Sequence, residues 1–546
     1  MLRLSPLLAL ALALTACDTT GTLTDDGFDP STVDYDAVQT FDYDDTVRPL
    51  LAARNVLSPT ATTDRGDASD YDLMDVVMAG PSGFVVPFDA EGSLMLRFVA
   101  DLPDSVAIPF PNLRTLEADE ARYLARWIEA GARDGDTVPF ADAHHLLLAG
   151  VQAENHVALI DADTGRLVRR IDFDALGIPS TPYGPHHFAF EPDGSAAYVS
   201  LVSAGVVAKV SLDLSQDPDN ALLGRTPEGV FATPGMMSLD PSSTRIFVGR
   251  STLSDPLANG FGVLDRETME MEIIATPFNV PHAMAATPDG RYAITAELTG
   301  TQAESRALVY DTASGDATIL RIPADGAPRE FIHFSILGAH HMGMGMTHDT
   351  GETDAGMDHE GMDHSGMDAA GASQALAGYP YTVTLTSRST DEVLFMTLAQ
   401  DGTLALDGAA PAGDGPYHAH ANHDGSRLLI PDQRGDTVTI LDAETRGVLA
   451  LVEADALSQP HSPAPSMDGA RFFVTSSNLN GNWTPPFLFM PPGTGDREPL
   501  GPESFGNLTI FSAAGDLVEV VQLGAYPSGL EPVMVHGGMD HSMGDM

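Results

Sequence analysis

Two hydrophobic rhythms divide the chain. Between residues 40 and 135 apolar positions recur at helical spacing. The clearest case is "LEADEARYLARWIEAGA", where Leu116, Tyr123, Leu124, Trp127 and Ile128 fall mainly on one face and Gly131 ends the run. From residue 144 the period becomes two, with short β-rich runs separated by Asp-Gly-type turns. One phrase returns along this half: "PHHFAFEPDGSAAYVS" from Pro185, "PGMMSLDPSSTRIFVG" from Pro234, "PHAMAATPDGRYAITA" from Pro281, "YHAHANHDGSRLLIPD" from Tyr417 and "PHSPAPSMDGARFFVT" from Pro460. Each predicts a strand, a tight turn and a second strand, and segments such as "HVALIDADTGRLVRRIDF" add a third and fourth.

Where no insertion intervenes the phrases lie roughly 44 to 50 residues apart, the period of a four-stranded blade. The expected fold class is therefore mainly β, a seven-bladed β-propeller over 140–536, preceded by a small α-helical domain over 40–138. The blade beginning near residue 144 lacks a first strand, which "YPSGLEPVMVHG" at 526–537 is expected to supply, so that the two ends of the chain close the ring and hide its edges. Between His282 and Tyr417 lies one irregular blade, "YTVTLTSRSTDEVLFMTLAQDGTLAL", and an insertion at 338–374. These phrases resemble the YVTN-type and nitrous-oxide-reductase-like seven-bladed propellers.

The order "DTVRPLLAAR", "VVPFDAEGSLMLRFV", "TLEADEARYLARWIEAGA" resembles the small cytochrome c domains fused to larger secreted bacterial proteins. That family carries CxxCH for haem attachment and a later axial methionine. Here Asn55, Val56, Leu57, Ser58 and Pro59 stand where the motif belongs, and Ile108-Pro109 where Met-Pro is common. The resemblance thus implies a cytochrome c-like domain without covalent haem, serving as a spacer or docking module.

The first residues, "MLRLSPLLALALALTACDTT", have one positive charge at Arg3 and an apolar run too short to span a membrane, which is a signal-peptide pattern. Leu14-Thr15-Ala16-Cys17 resembles a bacterial lipobox. The resemblance implies removal of 1–16, lipidation of Cys17 and a membrane-anchored lipoprotein facing the periplasm or cell exterior, with Asp18 bearing on sorting. Residues 17–39 read as a flexible tether. Cys17 is the only cysteine, so disulfides, thiolate metal sites and cysteine catalysis are excluded downstream of it. The 546 residues hold 77 acidic and 27 basic side chains, a net charge of −50. Such acidity suits a solvated surface and excludes nucleic acid as a partner, since phosphate binding needs a basic patch.

Candidate chemistry lies in histidine and methionine. Aligned by their turns, the phrases put His186, Met236, His282, Tyr417 and His461 at one blade position, with His187 and His418 one residue later. The start of an innermost strand borders the central channel, so these side chains are expected to converge. Imidazole and thioether without thiolate favour copper, with zinc next. The pair His186-His187 resembles the double histidine of nitrous oxide reductases. That family, however, uses a larger histidine set and a cysteine-containing copper domain. His420 and His423 lie on the adjoining strand, either supporting the site or exposed.

A second donor set sits in the insertion: His340, His341, Met342, Met344, Met346, His348, Met357, His359, Met362, His364 and Met367, spaced by Gly and Asp. The 537–546 tail repeats the pattern with Met539, His541 and Met543. Thioethers favour Cu(I), imidazoles also take Cu(II), and nearby carboxylates ease cation binding. These repeats resemble Met/His segments of periplasmic copper-resistance proteins. Three functions fit: an extracytoplasmic protein that binds copper for handling or storage, with a possible periplasmic protein partner; a propeller oxidoreductase with a histidine-bound metal; or a non-catalytic interaction scaffold. No Ser-His-Asp set, P-loop or dinucleotide fingerprint stands in a fitting context.

Overall fold

The computed structural model describes residues 28–60, 71–99, 108–324, 326–337, 378–422, 424–486 and 505–535. Within them are seven four-stranded antiparallel sheets, the blades of a propeller. Blade 1 runs outward from the axis as Pro527–Met534, His145–Val151, His156–Asp161 and Arg166–Asp172. The innermost strands of blades 2 to 7 are Pro185–Phe190, Pro234–Leu239, Pro281–Ala286, Phe331–Ile336, His420–Ala421 and Pro460–Pro465. Closure by the two chain ends is observed as expected, with Leu146 opposite Val533 and Leu148 opposite Glu531. The irregular blade is blade 5. Its innermost strand precedes the Met/His insertion, so residues 338–377 interrupt the blade between its first and second strands.

The innermost strands share a local device. In blades 2, 3, 4, 5 and 7 the ladder to the second strand shifts between the first and fourth residues, a bulge that re-aims the two residues between. Those pairs are His186-His187, Gly235-Met236, His282-Ala283, Ile332-His333 and His461-Ser462. A bulge strands a backbone N–H, and hydroxyls on the second strand accept it. His187 N–H donates to Ser200 Oγ at 3.0 Å, His333 N–H to Thr386 Oγ1 at 3.1 Å and Ser462 N–H to Thr475 Oγ1 at 3.2 Å. In five blades the residue before the leading proline has positive φ: Thr233, Val280, Gly415, Gln459 and Tyr526. Four of these are not glycine and hold the chain in the sterically costly left-handed region at the mouth of the axis.

The first unit contains helices α1 (Arg48–Ala53), α2 (Leu73–Met78), α3 (Leu94–Val99) and α4 (Ala118–Glu129). The predicted amphipathic helix is α4. Glu117 and Glu120 form a reciprocal capping box at its start, and Tyr123, Leu124, Trp127 and Ile128 are buried. Where a haem motif would stand, Val56 is buried in apolar packing and Asn55 accepts hydrogen bonds from Tyr71 and Asn112. The helical core is continuous with blades 1 and 2, joining Leu50, Trp127 and Phe140 to Leu148, Ile171 and Phe173. Polar ties reinforce the seam: Arg169 donates to the Pro87 carbonyl at 2.8 Å and Leu167 N–H to Ser82 Oγ at 2.8 Å. No helix among the described residues is long and apolar enough to cross a membrane.

Candidate functional site

Seven histidines meet at the propeller axis. His186, His282 and His461 occupy the first bulge position of blades 2, 4 and 7, and His187 and His333 the second position of blades 2 and 5. His418 precedes the short inner strand of blade 6, and His420 lies on it. All seven are buried, with His282, His418 and His461 fully so. Ring centroids connect them: His186 lies 5.8 Å from His461, 6.1 Å from His418 and 6.4 Å from His282. His418 lies 4.7 Å from His461 and 5.0 Å from His333, which is 4.9 Å from His420. His418 thereby joins an upper tier of His186, His282 and His461 to a lower tier of His187, His333 and His420. Glu531 on the closing strand of blade 1 belongs to the lower tier, its Oε1 lying 3.4 Å from Nε2 of both His187 and His420.

Hydrogen bonds fix several tautomers. His282 Nδ1 is 2.6 Å from the Arg250 carbonyl, so Nδ1 carries the proton and Nε2 the lone pair. His187 and His333 behave oppositely, since Nδ1 accepts the Met237 N–H at 3.2 Å and the Ala419 N–H at 3.3 Å respectively. Other nitrogens are left over. His186 Nε2, His282 Nε2 and both ring nitrogens of His418 and His461 are buried without a hydrogen-bond partner. Burial holds these rings neutral, taking His282 down to about 4, His461 to about 3, and His186 and His418 well below the usual histidine range, with nearby imidazoles adding to the effect. His420 is likewise lowered by burial.

The rings pack edge-on or stacked. Among the described residues no three His, Cys, Asp or Glu side chains present donor atoms already gathered on one point for a metal ion. Below the lower tier a cavity of about 250 Å³ opens along the axis, with His187, His333, His420 and Glu531 among its lining. Its walls are apolar, built from side chains such as Phe188, Met237, Met284 and Ile336.

Of the residues singled out from the sequence, His186, His187, His282, His418 and His461 come together at the axis. Met236 does not. The register places Gly235, not Met236, at the position equivalent to His186, and Met236 is buried among Phe247, Phe261, Phe278 and Met284 as packing between blades 3 and 4. Tyr417 stacks on His418 with centroids 5.2 Å apart, and burial pushes its phenol up to about 12. Cys17, His423, the insertion residues His340 to Met367 and the tail residues Met539, His541 and Met543 lie outside the described residues.

His333, His420 and Glu531 complete the constellation. His420 was legible only as a neighbour of His418. His333 sits in "FIHFSI", which lacks both the leading proline and the Asp-Gly turn of the other phrases, because the insertion begins where that turn should be. Its one signal is position, since Phe331 falls one blade period after Pro281. Glu531 had no signal against so acidic a background.

No protein-family profile and no curated protein matches the chain. Among solved structures it is similar to the hydrazine synthase of Kuenenia stuttgartiensis, at 16% identity and TM-score 0.45, covering 68% of this chain and 93% of that one. It is also similar to the dihydro-heme d1 dehydrogenase NirN, at 11% identity and TM-score 0.43, covering 84% and 95%. A third is streptogramin B lyase, at 12% identity and TM-score 0.40, covering 63% and 86%. Likeness at this level says nothing of chemistry, and the propeller rests on the strand order itself.

Proposed function

We propose that the chain is an extracytoplasmic metal-binding propeller whose axis holds copper on histidine. One observation carries the reading: four buried imidazoles, His186, His282, His418 and His461, have ring nitrogens with no hydrogen-bond partner. An unsatisfied buried polar atom costs about 1–3 kcal/mol, and a cation accepting its lone pair offsets that cost. The donor set fits copper best, being imidazole-rich and thiolate-free, with zinc as competitor. Seven imidazoles exceed what a single ion takes, which favours more than one ion. Binding requires ring rotation, because the nitrogens do not yet point to one place. Each resident ion would supply Lewis acidity or, for copper, electron transfer. The chain's own part is to keep the imidazoles neutral by burial and to set Glu531 beside His187 and His420.

The Met/His segments fit the same reading as capture elements. The chain leaves the described fold toward 338–377 after Leu337 and toward 536–546 after Val535. Both exits follow innermost strands that line the axial cavity near their ends, at Ile336 and Val533. Copper gathered there would be released at the mouth of the histidine site. Lipidation at Cys17 would anchor the protein to a membrane, and the helical unit, read as a cytochrome c-like fold without haem, would serve as a docking module.

The apolar cavity favours a second reading, an oxidoreductase. A storage site needs no apolar vestibule, whereas a small uncharged substrate approaching a metal centre does. His333 and His420 also supply the larger histidine set of nitrous-oxide-reductase-like propellers, although nothing in this chain supplies that family's cysteine-containing copper domain.

The test is elemental analysis of purified protein, intact and lacking 338–374 and 537–546, after loading with Cu(I) or Cu(II). The deleted form should keep copper at the axis and lose it on His186→Ala or His461→Ala. A deleted form that retains no metal, or retention indifferent to those substitutions, would refute the axial site.

A further inference from the structure

A second cavity lies away from the axis, in the seam between the helical unit and blades 1 and 7. It measures about 350 Å³, within the usual range of small-molecule sites, and includes Phe88, Leu94, Phe505 and Leu523 in its lining. None of the axial histidines borders it.

Two buried polar side chains face this cleft. His156 is 6% exposed, and its Nε2 has no hydrogen-bond partner. Glu154 Oε1 accepts the Ala525 N–H at 2.5 Å, and Oε2 is 3.6 Å from His156 Nδ1, beyond hydrogen-bond reach. Among the described residues no arginine or lysine forms an ion pair with Glu154. Arg170, which borders the cleft, is already engaged by Asp89 at 2.5 Å, and Arg97 donates to the Glu91 carbonyl at 2.7 Å. Further carboxylates at Glu129, Asp172 and Asp219 leave the walls with an acidic surplus.

We infer that this cleft binds a small organic cation, an ammonium compound with an apolar body. Glu154 receives the ammonium, the His156 Nε2 lone pair accepts one of its hydrogens, and the apolar side chains cover the rest. An anion of the same shape is repelled by the surplus carboxylates. Ammonium binding favours an ionised Glu154, whose carboxyl is pushed up to about 7 by burial, against the lowering effects of the Ala525 N–H, Arg170 and Arg97. The other groups facing it, Asp172, His156 and Glu129, do not reverse the sign: His156 is held neutral by burial, and the carboxylates disfavour ionisation. At pH 6 the site must first release a proton, whereas at pH 8 it is already charged, so affinity should rise about tenfold between them.

Calorimetry on the full chain with phenethylamine and, separately, phenylacetate is the test. The amine should bind and the acid should not. Glu154→Gln, which keeps an acceptor for the Ala525 N–H, should weaken amine binding at least tenfold and flatten its pH dependence. Glu129→Gln, on the helical side of the cleft, provides a milder check with an expected loss of two- to threefold. Equal binding of both probes, binding of neither, or a Glu154→Gln protein that binds the amine unchanged would overturn the inference.

Discussion

His418 is the most exacting residue in the molecule. Fully buried, with two ring nitrogens that touch no partner, it should cost the metal-free fold stability, so His418→Phe is expected to change the free energy of unfolding by less than about 1 kcal/mol, or to raise it. The same substitution should remove bound copper. Chemical denaturation of the metal-free variant, paired with metal analysis, separates this from a structural role, in which the loss would reach about 1–3 kcal/mol. Met236 teaches the converse lesson. The sequence reading set it beside the histidines, yet Gly235, not Met236, directly follows the leading proline as His186, His282 and His461 do, and Met236, one residue on, falls into apolar packing. A single step along a strand exchanges one face for the other, so a slip of one residue in the alignment makes a core residue look like a ligand.

At the scale of the element, the bulged inner strand is what builds the site. Its exposed backbone donor relies on a hydroxyl from the neighbouring strand, so Thr386→Val should cost about 1–3 kcal/mol and disturb His333 in particular, since its N–H loses the acceptor at 3.1 Å. Histidine resonances monitored by NMR would show the shift centred on blade 5. The closing strand Pro527–Met534 is the other decisive element. A chain ending at residue 535 should unfold like the full protein, whereas one ending at 525 leaves the His145–Val151 strand and its apolar face unpaired and should melt at least 10 °C lower or fail to fold. Thermal unfolding by circular dichroism distinguishes the two. The period of the phrases made blade number and closure legible from sequence, and the helical spacing of apolar residues did the same for α4. Blade 5 was legible only in outline, because the insertion removed the turn by which the other inner strands announce themselves.

For the whole molecule, pH is the revealing variable. Six histidines, His156, His186, His282, His418, His420 and His461, are held below their unfolded value by burial. As pH falls through about 6.5 the unfolded chain takes up protons that the fold refuses, so stability present above that pH is lost on the way down, reaching the range of about 4 for His282 and about 3 for His461. Glu154 acts in the opposite sense, its raised value favouring the fold as pH drops from about 7 toward the ordinary glutamate range, and Asp432, pushed up to about 6, and Glu129 act with it, three carboxyls against six histidines. Metal-free protein should therefore lose stability steeply between pH 6.5 and 4, by about 1.4 kcal/mol per unit for each histidine fully engaged, as urea titrations at stepped pH would record.

The strand that seals the ring also carries Glu531, the carboxylate between His187 and His420. Time therefore enters the design: the histidine cluster is enclosed only once the Pro527–Met534 strand has been made. A nascent polypeptide that has reached His461 carries all seven axial histidines but still lacks the strand that encloses them, and an ion met at that stage would find only separate, water-exposed imidazoles. The finished site and the finished molecule arrive together.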